Sequence, residues 1–475
     1  MTLKSFPRTA QQAIAQRQVL ATTSISYILV TLDVAIVNIA LEPISQAFSS
    51  NITGLQWVMN AYTLAFACLL LTGGALGDRL GPRSLYLAGL VTFTFGSALC
   101  GLSPDLQILI LARAVQGIGA AILVPNSLTL LNHAYPDPGE RAHAIGIWAG
   151  CGGVALAAGP LLSGVLIETL GWRSIFLINL PITLAGIWMI LKMPEGERAS
   201  QQRPLDIPGQ IMGIIALCIL VLLLVKGPSI GWTSKAFWVG SGVGGLVWAG
   251  FLLIEAKRKQ PMLPLSMFKN RLFSGALIVA MTMTFCSFGL IFVFSLYFQQ
   301  VRHESALQAG LAFLPMTAVV TVGNIASGRW VKARGPKAPV FLGLFCLGIA
   351  ALGLMLPAPA SPYWLTGIFL FVLGIGGGLV TPAATAALMS AVDKSQAGIA
   401  AGVLNAARQT GVALGIAVFG ALLSAFHAFE AGLQAILWVG ASLPLISALV
   451  WWWAMSQKRC LPDVSLTQVN SQKRL

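Results

Sequence analysis

Charged side chains are scarce in this chain: Asp, Glu, Lys and Arg make up 9% of its 475 residues, while 56% are hydrophobic. Soluble domains carry about 25% charged residues, so a soluble fold of this length is excluded. Cysteine chemistry is lacking as well. The seven Cys (Cys68, Cys100, Cys151, Cys218, Cys286, Cys346, Cys460) lie in apolar stretches or the tail without CxxC spacing. That excludes a disulfide framework and a thiolate metal site, and leaves them as small hydrophobes. The four His residues (His133, His143, His303, His427) fall in loops or at the ends of apolar runs. With no HExxH motif and no His–carboxylate cluster, neither a metal site nor a membrane-embedded enzyme is expected, and such an enzyme or sensor is the weak rival reading. A GxxxxGK[ST] loop is also missing, so energy has to come from an ion gradient rather than from ATP. No small-residue cleavage site follows the basic segment Met1 to Arg17, and Asp33 interrupts the apolar run behind it. That run is expected to be a retained first helix and not a signal peptide.

What the chain does have is length in its apolar runs. Stretches of about 18 to 25 residues recur from Leu20 to Met455, each long enough to cross a hydrocarbon layer of roughly 30 Å as a helix. None alternates in polarity, which excludes a barrel. Gly, Pro and charge clusters divide them into fourteen predicted spans: 20–42, 55–76, 84–103, 106–131, 142–167, 172–193, 206–226, 236–255, 272–298, 306–331, 338–357, 363–391, 397–425 and 432–455. The expected fold is an all-α integral membrane protein.

The net charge is +14. Basic residues in short loops between spans have a topological cause, and no free-standing basic helix with interleaved aromatics is present, so no nucleic-acid partner is expected. Of the 29 Lys and Arg residues, Arg113 and Arg408 lie deep in spans, and Arg173, Lys226, Lys235 and Arg302 lie in odd-numbered loops. The other 23 lie at the termini and in even-numbered loops. The bias predicts two cytoplasmic termini and an even number of spans in a bacterial inner (plasma) membrane.

The chain also repeats itself. Gly74-Ala-Leu-Gly-Asp78-Arg79-Leu-Gly81-Pro82-Arg83 recurs as Gly328-Arg-Trp-Val-Lys-Ala-Arg-Gly335-Pro336-Lys337. Gly117-Ile-Gly119 with Pro125 recurs as Gly374-Ile-Gly376 with Pro382, and Gly153-Val-Ala-Leu156 as Gly411-Val-Ala-Leu414. The three offsets are 254, 257 and 258 residues. Three agreeing offsets predict two duplicated six-helix bundles, residues 1–200 and 261–475 with the tail, separated by two inserted helices in 201–260. Such halves enclose a site near mid-membrane and rock about it.

Ionisable groups in mid-span are functional candidates because lipid penalises them by about 2.5 to 3.5 kcal/mol each on insertion scales. Asp33 sits roughly 20 Å from the cytoplasmic side, Arg113 roughly 10 Å below the outer surface, and Arg408 roughly 17 Å from the cytoplasm, at 1.5 Å per helical residue. All three fall in one layer and are expected to share a cavity. Only Asp33 can titrate there, since Arg keeps its proton. An alternative is a fixed Asp33–Arg113 structural pair. Arg408, flanked by Asn405 and Gln409, belongs either to the site or to helix packing. Gly146, Gly150, Gly153, Gly159 and Gly164 are expected to let helices approach closely, and Pro160 to kink the fifth span.

These motifs resemble those of the major facilitator superfamily, specifically the fourteen-helix drug:proton antiporters of the EmrB/QacA type, over nearly the whole chain. Leu32-Asp33-Val-Ala-Ile-Val-Asn38-Ile-Ala-Leu41 resembles the first-helix motif, with Asp33 and Asn38 polar. Residues Gly74 to Arg83 are similar to the superfamily's loop 2-3 signature, and the resemblance implies that Gly74, Asp78, Arg79, Gly81 and Arg83 form a cytoplasmic gate tying the halves. Leu109-x-x-x-Arg113-x-x-Gln116-Gly117 resembles a fourth-helix motif whose Arg is implicated in proton coupling. Gly153 through Gly159-Pro160-Leu-Leu-Ser163-Gly164 resembles the antiporter motif, and Asn405-x-x-Arg408-Gln409-x-Gly411 a thirteenth-helix pattern. Ser163 stands where the antiporter motif often has Gly, and Glu42 displaces Pro43 from the end of the first-helix motif.

The resemblance implies export of small amphipathic compounds in exchange for protons, with no cofactor beyond the proton gradient and no metal. Its site would be Asp33, Asn38, Arg113, Gln116, Asn405, Arg408 and Gln409. The expected partners are a small-molecule substrate, protons and the lipid bilayer, for a chain working as a monomer; the sequence is silent on a periplasmic adaptor. The alternative is proton-coupled or exchange transport of a polar or anionic metabolite. Late spans offer Asn324 and Arg408 rather than extra carboxylates, which leaves neutral or acidic amphiphiles open as cargo.

Overall fold

The computed structural model describes residues 10–193, 206–258, 261, 264–393, 396–426 and 428–456; the side chains of 10–13, Asp78, Pro138 and Ala142 lie outside that description. Within it the chain is helical, in fourteen membrane-length segments. They are α1 (Ala10–Phe48), α2 (Ile52–Leu80), α3 (Pro82–Gly101), α4 (Leu106–Ala134), α5 (Pro138–Leu170), α6 (Ser174–Leu191) and α7 (Ile207–Ile230). Then follow α8 (Lys235–Lys257), α9 (Arg271–Val301), α10 (Ala306–Arg334), α11 (Lys337–Gly353), α12 (Tyr363–Ser390), α13 (Ala397–Ala425) and α14 (Phe429–Met455). The chain is a multi-pass membrane protein. Thirteen of these segments are long and apolar enough to cross a membrane, and α11 has 17 residues, about 26 Å at the helical rise.

Local chemistry sets the ends. Asn51, Asp105, Asp137, Asp206, Ser234 and Asn270 each accept a bond from a first-turn backbone N–H, and Ser305 with Gln308 closes a reciprocal cap on α10. Two helices are interrupted. In α6 the break at Ile178 precedes Pro181, which has no N–H to give the Leu177 carbonyl, and in α10 the break at Phe313 precedes Pro315. The first helix runs on through Pro43 to Phe48, beyond its predicted end at 42.

The sequence repeat is a structural one. Gly81 and Gly335 hold φ of +94° and +80°, each turning one helix into the next with a Pro behind it. A Cβ at Gly117 would stand 2.4 Å from the Tyr62 carbonyl oxygen and one at Gly119 2.6 Å from the Phe93 nitrogen. Their counterparts Gly374 and Gly376 stand likewise, 2.3 Å from the Met316 carbonyl and 2.8 Å from that of Gly343. So α4 lies backbone-close on α2 and α3, and α12 on α10 and α11. The pairings α1–α5, α2–α4, α3–α4, α1–α4, α3–α6 and α1–α6 recur as α9–α13, α10–α12, α11–α12, α9–α12, α11–α14 and α9–α14.

The two six-helix groups meet along two equivalent seams, α2–α13 and α5–α10, and where α1 meets α9. The inserted α7 packs on α2 and α13 through Leu217, Val221 and Val225, with α8 outside it. Fourteen helices in alternating directions bring the first and last described residues, Ala10 and Ser456, to one face, here the terminal face.

Bonds between the groups gather toward the opposite, far face. Ser295 donates to the Asn38 carbonyl and Gln300 to the Glu42 carboxylate. Gln299 donates to the Ile39 carbonyl at 3.1 Å, Gln56 to those of Ile416 and Ala417 at 3.1 and 2.8 Å, and Leu307 N–H to Glu168 at 3.2 Å. Glu42, the departure from the family pattern, thus becomes a contact between the groups. Toward the terminal face the α2–α13 seam persists, with Leu71 against Gly402, but α5 and α10 part.

The glycines of α5 divide accordingly. Gly159 and Gly164 are close-approach positions, where a Cβ would stand 2.4 Å from Ala35 Cβ and 2.6 Å from Leu307 Cα. Gly146, Gly150 and Gly153 meet nothing within 4 Å, as does Gly328 of α10. The expectation of close packing is corrected for those three: they border open space because α5 leans away from α10 there. Gly164→Ala is therefore expected to lower the unfolding free energy of the purified protein in nanodiscs by about 1–3 kcal/mol through overpacking. Gly150→Ala should change it by less than about 1 kcal/mol, and in the stabilising direction, as for Gly to Ala in a helix. Equal losses in thermal unfolding followed by tryptophan fluorescence would contradict this assignment.

Candidate functional site

Asp33 is fully buried on the side of α1 that faces α4 and α6, while its neighbours Ala35 and Ile36 pack against Gly159 and Ser163 of α5. Its carboxylate forms an ion pair with Arg113 Nη1 of α4, both side chains having zero exposure. Gln116, one helical turn on from Arg113, donates from Nε2 to Asp33 Oδ1 at 2.9 Å and accepts from Arg113 Nη1 at 2.7 Å. The i, i+3 spacing puts both side chains on one helix face. Asn179, the first residue of α6 beyond its break, donates to Asp33 Oδ1 at 3.4 Å and to Ser97 Oγ of α3 at 3.0 Å. Ser97 accepts from Gln116 as well, at 3.0 Å, and donates to the Phe176 carbonyl in the interrupted turn.

Arg113 is held from its other side too. Its Nε donates to the Val58 carbonyl of α2 at 3.2 Å, and the Tyr62 ring lies 4.3 Å from its central carbon. The group is a sealed polar knot in the first six helices, with Arg113 cancelling the charge of Asp33 and two amides solvating it. Among its members only Asp33 can exchange a proton, since the guanidinium keeps its own.

The sequence places some of its candidates here and others elsewhere. Asp33, Arg113 and Gln116 come together. Arg408 does not join them, so the expectation of one cavity shared by all three ionisable groups is corrected. Depth along a helix sets height only; the direction around the helix axis decides the neighbour, and that direction separates Arg408 on α13 from the knot. Its Nη2 donates to Thr385 Oγ1 at 2.7 Å and the Thr381 carbonyl at 3.2 Å, both on α12. Asn405 and Gln409, three residues before and one after, are half-buried on the same face of α13. Asn38 lies outside the knot as well, its amide donating to the Val34 carbonyl of its own helix at 2.8 Å and its backbone carbonyl taking Ser295.

The gate residues sit at the α2–α3 turn on the terminal face. Arg83 donates to the Ile190 and Leu191 carbonyls at 3.3 and 3.1 Å, fastening α3 to α6 within one group. Arg79 is half-buried, Gly74 lies against Pro125, and the Asp78 side chain falls outside the described residues. In the antiporter motif, Gly164 and the Pro160 carbonyl form the α5–α10 seam, against Leu307 and Gly310. Ser163 uses its hydroxyl to bond the Ile36 carbonyl of α1 at 2.7 Å, and Gly153 borders open space.

Sequence reasoning missed Ser97, Asn179 and Tyr62 in the knot, and Tyr27 and Trp148, whose rings stack at 3.8 Å between α1 and α5. An isolated Ser or Asn in an apolar span carries the same signal whether it solvates a carboxylate or joins two helices. Only the break before Pro181 marked Asn179 as unusual. Among the described residues no group of His, Cys, Asp or Glu could hold a metal ion.

The sequence profile of the Major Facilitator Superfamily matches residues 23–416. This chain belongs to that superfamily. Its relatives include the methylenomycin A resistance protein of Bacillus subtilis, 37% identical over 439 residues that span 91% of this chain and 93% of the relative. The drug efflux pump JefA of Mycobacterium tuberculosis is 35% identical over 90% of this chain and 82% of its own, and the multidrug resistance protein Stp of the same organism 34% identical over 86% and 76%. Among solved structures, the chain shares its fold with a bacterial homolog of the human lysosomal transporter Spinster in an inward-facing, occupied conformation, with TM-score 0.68 at 16% identity over 94% of this chain and 97% of that one. It is similarly related to a peptide transporter in complex with sulfate, with TM-score 0.67 at 16% identity over 92% and 94%. The superfamily and these neighbours are transporters.

Removing one member of a buried ion pair leaves the other unsolvated and costs about 3–5 kcal/mol. Asp33→Asn and Arg113→Gln are each expected to destabilise by that amount in nanodiscs, and the double variant by clearly less than their sum, a coupling that a double-mutant cycle reads directly. Additive losses would mean that the two side chains do not act as a pair.

Proposed function

We propose that this superfamily member exports small amphipathic compounds from the bacterial cytoplasm in exchange for protons, by alternating access. Cargo class and direction come from the relatives, whose names describe drug resistance and efflux. The observation that carries the proton half of the reading is the carboxyl of Asp33, buried in mid-span against Arg113. The other carboxylates of the sequence lie at span ends or in loops. In this reading the terminal face is cytoplasmic, as the charge bias predicts, and the chain is a transporter without enzymatic activity that works as a monomer.

The coupling follows from charge. With Asp33 ionised, the knot is electrically neutral. A proton on Asp33 leaves Arg113 as an uncompensated buried cation, and the cost of that charge is relieved if α1 shifts relative to α4. Five and six residues further along α1 lie the Asn38 and Ile39 carbonyls that α9 grips at the far face. A shift of α1 therefore changes the contact that holds the far face closed, so the proton on Asp33 alters the balance between the two open states as the six-helix groups rock about the site. Asp78, Arg79 and Arg83 latch the terminal face in the opposite state. Arg113 thus keeps proton uptake from being free of structural consequence. A closed far face, with α5 and α10 apart at the terminal face, corresponds to a cytoplasm-open state.

The test is efflux in proteoliposomes with an imposed pH gradient. Asp33→Asn is expected to reduce gradient-driven efflux at least about tenfold, the loss of one general proton-transfer group being worth about that or more. Downhill exchange of cargo should persist, since the neutral variant can still bind it. Undiminished gradient-driven efflux by Asp33→Asn would remove this carboxyl from the coupling step.

A further inference from the structure

Two arginines stand deep in the helices, and only one has a counter-charge. Arg113 is paired with Asp33. Arg408 has no carboxylate within ion-pair distance among the described residues; its protein partners are a threonine hydroxyl and a carbonyl. Its Nε is buried and has no hydrogen-bond partner. A guanidinium at mid-span without an anion is an expensive arrangement in lipid, and its remaining donors favour a charge-assisted bond to an oxyanion.

What lies around Arg408 points the same way. Asn405 and Gln409 flank it on one face of α13, and neither side chain makes a hydrogen bond among the described residues. Across the interface, the Tyr27 hydroxyl is near enough to feel the Arg408 charge. Tyr27 is pressed over Gly152, where an added Cβ would stand 2.2 Å from its ring, and stacks on Trp148 at an interplanar angle of 19°. Trp148 Nε1 is buried without a partner.

We propose that Arg408, with Asn405 and Gln409, forms a subsite for the oxyanion of an amphipathic cargo, a carboxylate in the simplest case, and that Tyr27 and Trp148 receive its apolar ring system. The proposal rests on the exporter reading and narrows its cargo to neutral-bodied molecules with a negative head. One arginine then serves the proton carrier and the other the cargo, so that a proton and an anion are handled at separate places. The anion could reach the subsite as dissolved cargo or as a lipid head group, and the proposal assigns it to cargo.

The test is equilibrium binding to the purified full chain in phosphatidylcholine nanodiscs, using 2-naphthoate, 2-naphthamide and 2-naphthylmethylammonium as matched probes. The wild type is expected to bind naphthoate about tenfold more tightly than the amide, as one charge-assisted hydrogen bond provides, and the cation more weakly than either. Arg408→Gln should lose that preference, binding naphthoate and amide alike, and a thermal unfolding midpoint close to that of the wild type shows that it is folded. Arg408→Lys should keep part of the preference, and Trp148→Leu should weaken naphthoate and amide alike. Equal binding of naphthoate and amide by the wild type would overturn the proposal, and so would a preference that survives Arg408→Gln. In discs containing phosphatidylglycerol, unchanged naphthoate affinity supports a cargo subsite, whereas competitive loss would transfer it to lipid and overturn the cargo assignment. Efflux of a neutral compound by the wild type, measured separately, tells failure of the subsite from failure of the exporter reading.

Discussion

A carboxylate can lie at the centre of an apolar helix bundle only if something cancels its charge and bonds its oxygens. Asp33 meets that condition through Arg113, Gln116 and Asn179, which Ser97 and the Val58 carbonyl hold in turn. Five helices, α1, α2, α3, α4 and α6, are thereby committed to one mutual arrangement. Glycines make that arrangement reachable: Gly96 lets α3 approach the Gln116 backbone, and Gly117 lets α4 lie on the Tyr62 carbonyl. The pair's net stabilisation is small, because desolvation offsets the attraction. Its consequence is specificity, since any displacement of α1 against α4 exposes one charge to the apolar interior.

The symmetry of the backbone contrasts with the asymmetry of charge laid over it. At the repeat offset of 257 residues, Asp33 and Arg113 correspond to Leu290 and Leu370, both buried, and at the offset of 258 that relates α5 to α13, Arg408 corresponds to Gly150. The duplicated halves keep the same helix pairings and the same glycine contacts, yet each ionisable group has an apolar counterpart in the other half. One backbone plan therefore carries two different charge patterns, and the difference follows from a handful of side chains.

Much of this was legible in the residues. Apolar runs and basic loops set the number of helices and their order, and the Gly81–Pro82 and Gly335–Pro336 turns set the repeat, because each rests on local chemistry. The Asp33–Arg113 neighbourhood was also accessible, since two opposite charges at similar depth in lipid have strong reason to meet. What escaped was direction around the helix axis. Arg408 has a suitable depth but faces α12, and Gly150 has a suitable residue type but faces open space. Asn179 and Ser97 escaped because a single amide or hydroxyl in an apolar run has no distinguishing pattern until its partner is known. The inserted pair was visible as two additional spans, but nothing in its apolar composition specified that α7 would pack on α2 and α13.

That placement of α7 makes the two seams of the bundle unlike one another. Equivalent by the internal duplication, one is roofed by Leu217, Val221 and Val225, and the other, between α5 and α10, has no such cover among the described residues. A greasy molecule dissolved in the surrounding leaflet therefore meets two different flanks, one covered by the inserted helices and one bare of them. The extra pair of crossings thus gives a pseudo-symmetric machine a handed relation to the bilayer around it.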